Sequence, residues 1–168
     1  MLQGILYILI FLLEAAVFAK VRSRNLRRWT LVAGSYALYL TWTKWFVLVL
    51  VGSAAMNYLL GQWLRKKPSW IRLWAGLLLN LCLLGSFKYL PEIAVELPIS
   101  SLQHLAHLAL PLGMSFWTFQ AMSYLFDLYR GEELDPSFAE FALYMAFFPV
   151  SISGPICRMT DMLPQFRS

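Results

Sequence analysis

WIRLWAGLLLNLCLLGSFKYL, residues 70–90, is an apolar run with a single cation near each end. A helix needs about 20 predominantly apolar residues to cross the hydrocarbon core of a bilayer, so this run predicts a transmembrane helix. Pro91 follows the run, and Glu92 and Glu96 come shortly after it. Because proline removes a backbone donor and acids favour water, we predict that the helix ends here in an external loop.

The composition of the whole chain agrees with a membrane protein. Of its 168 residues, 60% are apolar and 14% are charged, whereas soluble domains average about 45–50% apolar and about 25% charged residues. A soluble domain of this size has too little interior for so many apolar side chains, and the composition also excludes a disordered chain. The net charge of +5 comes from basic residues that flank apolar runs. We therefore predict the lipid bilayer as a partner, and no nucleic acid.

Four further apolar segments predict additional membrane-embedded helices. They are residues 2–19, 29–64, 108–129 and 138–149. The second segment predicts a tight pair of spans with a break near residues 41–44, and the last begins with a capping-box pattern at Ser137 and Glu140. We predict an all-α, polytopic transmembrane protein with about five or six membrane-embedded helices, some of them short or reentrant. Residues 1–168 are predicted to form a single membrane domain.

Two basic clusters predict the orientation of these helices. The first consists of Lys20, Arg22, Arg24, Arg27 and Arg28, and the second of Arg65, Lys66, Lys67 and Arg72. Basic residues beside membrane spans are typical of the cytoplasmic side. We therefore expect both clusters in the cytoplasm, with the segment between them leaving and returning as a hairpin.

Some polar residues inside the apolar runs have ordinary structural explanations. Asn57 and Asn80 are each followed by a glycine, at positions 61 and 85. This combination is typical of helix–helix packing with a side-chain hydrogen bond. His104 and His107 would share one face of a helix, but two imidazoles without a third ligand do not indicate a metal site. We predict no metal in this chain.

The segment 110–130 has the richest set of polar side chains. Gln120, Tyr124 and Asp127 are spaced so that they share one face of a helix. A polar stripe along a membrane helix is either a contact between helices or the wall of a cavity, and the residues alone leave both alternatives open. Arg130 stands three positions after Asp127, so a helix-end salt bridge between the two is a further alternative.

Two blocks of sequence resemble a known family. They are PLGMSFWTFQAMSYLFDLYR, residues 111–130, and FALYMAFFPVSISGPICR, residues 141–158. Both are similar to blocks of the membrane-bound O-acyltransferases, in the bacterial branch of alginate O-acetylation and D-alanyl-lipoteichoic acid transfer proteins. Weaker matches lie at residues 57–61 and 80–89, in the same order as in the family. Val150 and Trp117 depart from the family's usual glutamine and tyrosine.

This resemblance implies a multi-helix membrane enzyme of which the chain is the N-terminal third. The enzyme would move an acyl group, in this branch typically acetyl, to a hydroxyl of an extracytoplasmic polysaccharide or related polymer. The donor would be acetyl-CoA or an acyl carrier thioester on the cytoplasmic side, acting as a co-substrate, with no bound cofactor. The resemblance also implies the bacterial inner (plasma) membrane, several membrane passes and an extracytoplasmic acyl-transfer partner protein.

The family's catalytic histidine is expected downstream of Ser168, so we predict no catalytic residue in this chain and no activity for the fragment alone. The residues predicted to line the substrate or donor cavity are Gln120, Tyr124, Asp127, Arg130, Gly154, Pro155 and Arg158. Two alternatives remain from the sequence. The chain could be a non-enzymatic membrane helper subunit or truncated packing module, or, with less support, a small transporter.

Overall fold

Six helices form the part of the chain that the computed structural model describes. This part comprises residues 12, 16–17, 20, 23–41, 44–96, 110–111, 113–147 and 157–167. The helices are α1 (Arg24–Leu40), α2 (Lys44–Lys66), α3 (Trp70–Glu96), α4 (Met114–Tyr129), α5 (Phe138–Ala146) and α6 (Met159–Arg167). All regular structure within these residues is helical, which confirms the predicted all-α class.

The predicted hairpin over residues 29–64 is present as α1 and α2. Helix α1 ends at Leu40, the hydroxyl of the following Thr41 donates to the Leu38 carbonyl at 2.6 Å, and α2 begins at Lys44. The predicted break is therefore confirmed. Helix α1 begins at Arg24 rather than near Trp29 because arginine is a good helix former. Its 17 residues extend about 25 Å at 1.5 Å per residue.

Helices α2 and α3 are long and apolar enough to cross a membrane, with a mean hydropathy of 1.5 in each. Their outward faces expose large apolar side chains, including Leu48, Leu59, Ile71 and Leu78. Such faces fit the acyl chains of lipid and would be unstable in water. The chain is thus an all-α membrane protein.

Helix α3 corrects the predicted end at Pro91, because it continues through the proline to Glu96. Proline there removes only one backbone hydrogen bond, close to the end of a long helix. Ala94, beyond the proline, is only 3% exposed, so packing of the last turn compensates for that loss.

Helix α4 is shorter than the predicted crossing over residues 108–129. It begins at Met114 because Gly113 has a left-handed backbone, with φ of 75°, and the Met114 N–H donates to the Pro111 carbonyl at 3.1 Å. Proline and a left-handed glycine together prevent an earlier helical start. Helix α4 packs against α2, α3, α5 and α6 and is the centre of the bundle.

Helix α5 begins with the predicted capping box. The Ser137 N–H donates to Glu140 Oε2 at 2.8 Å, and the Glu140 N–H donates to Ser137 Oγ at 3.3 Å. The helix ends at Ala146, three residues before the predicted Pro149. Nearly all of its side chains are buried against α1, α2, α4 and α6.

The two asparagines predicted to join helices pair with one another. Asn57 Nδ2 donates to Asn80 Oδ1 at 3.0 Å, and Asn80 Nδ2 donates to Asn57 Oδ1 at 2.7 Å. Of the two associated glycines, Gly61 packs against Tyr124, whereas the nearest atom to a Cβ at Gly85 would be in Tyr89 of the same helix. The predicted packing role is therefore confirmed at position 61, whereas at position 85 no neighbouring helix among the described residues comes within 4 Å of such a Cβ.

Several predictions lie outside the described residues. They concern most of the first predicted span, the two histidines and the segment between α5 and α6. The positions are residues 2–19 with the exception of 12, 16 and 17, together with His104, His107, Val150, Gly154 and Pro155.

Candidate functional site

The polar residues of α4 form two rows on its buried side. Trp117 and Tyr124 make the first row, and Gln120 and Asp127 make the second; each pair is separated by seven residues, which is nearly two helical turns. The first row faces α1 and α2, where the Trp117 ring lies 6.0 Å from that of Tyr39. The Tyr124 ring reaches Gly61. The single face predicted from sequence is therefore divided between neighbouring helices.

The second row lies beside Tyr144 of α5. The Tyr144 hydroxyl is 3.1 Å from the Gln120 carbonyl oxygen and 3.0 Å from that of Cys157. It thereby joins α4, α5 and the residues that lead into α6. Tyr144 carries no functional signal in the sequence, because an aromatic residue in an apolar run indicates only packing.

The second row carries buried polar atoms that have no hydrogen-bond partner among the described residues. Gln120 is 0% and Asp127 3% exposed, and both amide atoms of Gln120 and Oδ2 of Asp127 lack a partner. Each such group costs about 1–3 kcal/mol in a protein interior. Trp117 Nε1 and the Tyr124 hydroxyl of the first row are buried without a partner among the described residues as well, and polar groups of this kind inside a membrane helix bundle mark candidate functional positions.

Two of the residues predicted to line the cavity, Arg130 and Arg158, lie close enough to Asp127 to influence its charge. The charged groups that act on it are, in decreasing order, Arg158, Glu132, Arg130 and Asp161. Among the described residues Asp127 makes no ion pair with Arg130, so the helix-end salt bridge considered above is not formed. Arg130 and Arg158 are both exposed. The structure thus groups Gln120, Asp127 and Arg158, with Arg130 at the nearby end of α4.

A cavity of about 430 Å³ lies at the same end of the bundle. It is lined by Arg65, Pro68, Leu128, Gly131, Glu132, Glu133, Leu134 and Asp135. Arg65 forms an ion pair with Asp135. In the sequence the acids after Arg130 indicate only a polar turn, since nothing in their spacing indicates a contact with residue 65.

Arg167 of α6 binds the start of α5. Its Nε and Nη2 donate to the two Glu140 oxygens, each at 3.0 Å, and Nη2 also donates to the Asp135 carbonyl at 2.7 Å. We call this set of contacts the Glu140–Arg167 clasp. The sequence does not predict this contact, because Glu140 and Arg167 are separated by 27 positions.

The clasp makes stability depend on pH through Glu140, which lies at the polar end of a helix too short to cross a membrane. Hydrogen bonds from Arg167, and to a lesser degree from Ser137, lower the pKa of Glu140 from its usual 4.5 to about 2. A lowered folded-state pKa stabilises the fold above pH 4.5, and this stabilisation is lost as pH falls towards 2.

We expect Arg167→Met to lower the free energy of unfolding by about 1 kcal/mol at neutral pH, because the arginine is partly exposed. Its effect at pH 3 should be smaller, since Glu140 is then closer to protonation. Thermal unfolding in detergent at both pH values measures the difference, with Gln165→Ala on the same helix as the control. Equal losses at both pH values would contradict the assignment.

The helices and their exposed apolar faces define an all-α membrane protein, and α4 carries a buried polar row. Several known proteins are similar to this chain. The chain is 35% identical over 160 residues to a probable alginate O-acetylase of Pseudomonas aeruginosa, covering 86% of the chain. It is 34% identical over 159 residues to that of Pseudomonas syringae, covering 88% of the chain. A peptidoglycan O-acetyltransferase of Helicobacter pylori is 32% identical over 168 residues, covering 82% of the chain.

The chain is therefore similar to proteins named as alginate and peptidoglycan O-acetyltransferases, which agrees with the resemblance of its motifs to the membrane-bound O-acyltransferases. It spans about 30% of the length of the two Pseudomonas relatives and 32% of the Helicobacter protein. No family model matches the chain. No solved structure matches it either.

Proposed function

We propose that this chain is the N-terminal part of a multi-pass inner-membrane O-acetyltransferase. The observation that carries the proposal is the similarity, over 82–88% of the chain, to proteins named as alginate and peptidoglycan O-acetyltransferases. The acceptor is a hydroxyl of an extracytoplasmic polysaccharide or related polymer, and the donor is an acetyl thioester on the cytoplasmic side. The α1–α2 hairpin supports this orientation, because it brings Arg27, near the start of α1, to the same end of the bundle as Arg65 and Lys66 at the end of α2.

The reaction requires an acceptor oxygen to attack the thioester carbonyl carbon. A new C–O bond forms, the C–S bond breaks, and the sulfur leaves with the electron pair. A general base removes the proton of the attacking hydroxyl. We assign that base to the histidine expected downstream of Ser168, so the residues of this chain contribute binding and positioning.

Within this scheme the two rows of α4 have different roles. Gln120 and Asp127 form the polar wall of the cavity, since both side chains are buried and the Gln120 amide atoms and Asp127 Oδ2 have no partner among the described residues. Tyr124 holds α4 against α2 from the other side. Arg130 and Arg158 form the cytoplasmic mouth and bind anionic groups of the donor, such as the phosphates of coenzyme A or an acidic carrier surface. By resemblance, Gly154 and Pro155 belong to the same mouth.

We expect Arg130→Ala and Arg158→Ala to raise the KM for acetyl-CoA by about fivefold to tenfold each, because each removes one exposed charge-assisted contact. The full-length enzyme that contains this sequence should show little change in kcat. Initial rates at varied acetyl-CoA measure both parameters. Lys44→Ala, at the opposite end of the bundle, is the control. An unchanged KM in both arginine variants would contradict the assignment of these two arginines to donor binding.

Transfer of labelled acetyl from a thioester to a polymer by the purified full-length protein tests the function itself. O-acetylated product that depends on this protein supports an acetyltransferase. Absence of transfer by a folded protein, together with activity that appears only in an associated subunit, would favour the helper-subunit alternative instead.

A further inference from the structure

The turn between α2 and α3 carries basic and aromatic side chains on one surface. Its members are Trp63, Lys66, Lys67, Trp70, Arg72 and Trp74, and we call them the basic–tryptophan turn. The three tryptophans are 41%, 57% and 42% exposed. Side chains of this size are seldom so exposed without a partner, which indicates that the turn contacts something other than water.

Arg72 is held in place within this turn. Its Nη1 donates to the Trp63 carbonyl at 2.7 Å and to the Lys67 carbonyl at 3.2 Å. Its guanidinium carbon lies 4.7 Å from the centre of the Trp63 ring. The guanidinium therefore stays at the surface as a fixed positive charge beside an aromatic face.

The two lysines leave the turn with an unneutralised positive charge. Arg65, one residue earlier, is paired with Asp135. Lys66 and Lys67 are exposed, and no acidic side chain in the described part of the chain pairs with either of them. The start of α3 adds the positive end of the helix dipole to the same surface.

The surface is continuous with the apolar outward faces of α2 and α3. Leu59 is 66% exposed one turn before Trp63, and Ile71 is 78% exposed beside Trp70. Tryptophan favours the boundary between the apolar core and the headgroups of a bilayer. A partner of this turn must therefore present an anionic group directly above hydrocarbon, and among common cellular partners a phospholipid combines these two properties.

We propose that the basic–tryptophan turn is a binding site for the headgroup of an anionic phospholipid. Lys66 and Lys67 neutralise its phosphate, Arg72 adds a fixed third charge, and the three tryptophans contact the glycerol and upper acyl chains. Attraction of a few basic residues to anionic lipid is an electrostatic effect that falls off within about 10 Å, so the preference depends on salt. The site is independent of the acetyl transfer proposed above.

Association of spin-labelled lipids with the reconstituted full-length protein tests the site. In the wild type we expect phosphatidylglycerol to associate about fivefold more strongly than phosphatidylcholine. The variant Lys66→Gln/Lys67→Gln should reduce this ratio to near one. The matched control is Lys44→Gln/Lys88→Gln, which removes two exposed lysines from the opposite end and should leave the ratio unchanged. The variant Lys66→Arg/Lys67→Arg should also keep it.

Three outcomes would overturn the proposal. The first is an unchanged lipid preference in Lys66→Gln/Lys67→Gln. The second is an equal loss in the control variant, which would show an effect of total charge and no local site. The third is displacement of the labelled lipid by millimolar inorganic phosphate, which would show a site for a free anion. Circular dichroism establishes that each variant is folded before the ratios are compared.

Discussion

Gly61→Ala is expected to lower the free energy of unfolding by about 1–3 kcal/mol, the usual cost of overpacking a core. A Cβ at this position would lie 2.5 Å from both Cε1 and the hydroxyl oxygen of Tyr124. The Tyr124 ring cannot easily retreat, because it is 0% exposed and its centre lies 4.8 Å from that of Phe141. Helix α2 must therefore move away from α4.

Gly52→Ala on the same helix is the matched control, since a Cβ there would meet no atom of the described residues within 4 Å. It should be neutral or slightly stabilising, because alanine favours helix more than glycine does. Unfolding with sodium dodecyl sulfate in mixed micelles measures both variants. Tyr124→Phe should rescue Gly61→Ala only in part, because Cε1 of the ring remains. Equal stability of the two alanine variants would show that α2 and α4 are not in close contact here.

Asn80→Leu is expected to destabilise the protein by about 1–3 kcal/mol, because it leaves a buried amide incompletely paired. Asn57 Nδ2 would keep its contact with the Ser53 carbonyl at 3.0 Å, but Asn57 Oδ1 would lose the donor that Asn80 provides. Both asparagines are 0% exposed, so water cannot replace the missing contact without opening the interface between α2 and α3.

The double variant Asn57→Leu/Asn80→Leu isolates the pair. It should cost less than the sum of the two single variants, because neither polar group is then left alone. The difference is the coupling energy, which we expect to be about 1 kcal/mol for an interhelical hydrogen bond in a membrane protein. Additive losses would mean that the two amides do not interact in the folded protein.

Local sequence patterns predicted the features that depend on a few neighbouring residues. The break after α1 follows from polar residues between two apolar runs, and the capping box at Ser137 follows from a spacing of three. The interhelical role of Asn57 and Asn80 was predictable because a buried amide in an apolar helix requires a polar partner. The identity of that partner was not, since it depends on how the helices pack.

The features that sequence did not predict are set by packing or by the competition of local effects. Helix α3 passes through Pro91 because burial of Ala94 offsets one lost hydrogen bond. The helical spacing of Gln120, Tyr124 and Asp127 predicted one polar face. In the structure their side chains leave α4 in slightly different directions, so Tyr124 contacts α2 whereas Gln120 and Asp127 lie beside Tyr144 of α5. The clasp between Glu140 and Arg167 joins two elements distant in sequence, so no local pattern contains it.

The clasp also has an entropic consequence for the mouth of the cavity. By joining Glu140 to Arg167, it closes the intervening chain into a loop whose two ends are held together by an ion pair. Loop closure reduces the conformational freedom of the chain between the two ends. Arg158 lies inside it. The position of this arginine relative to Asp127 is therefore restricted by an ion pair that touches neither residue.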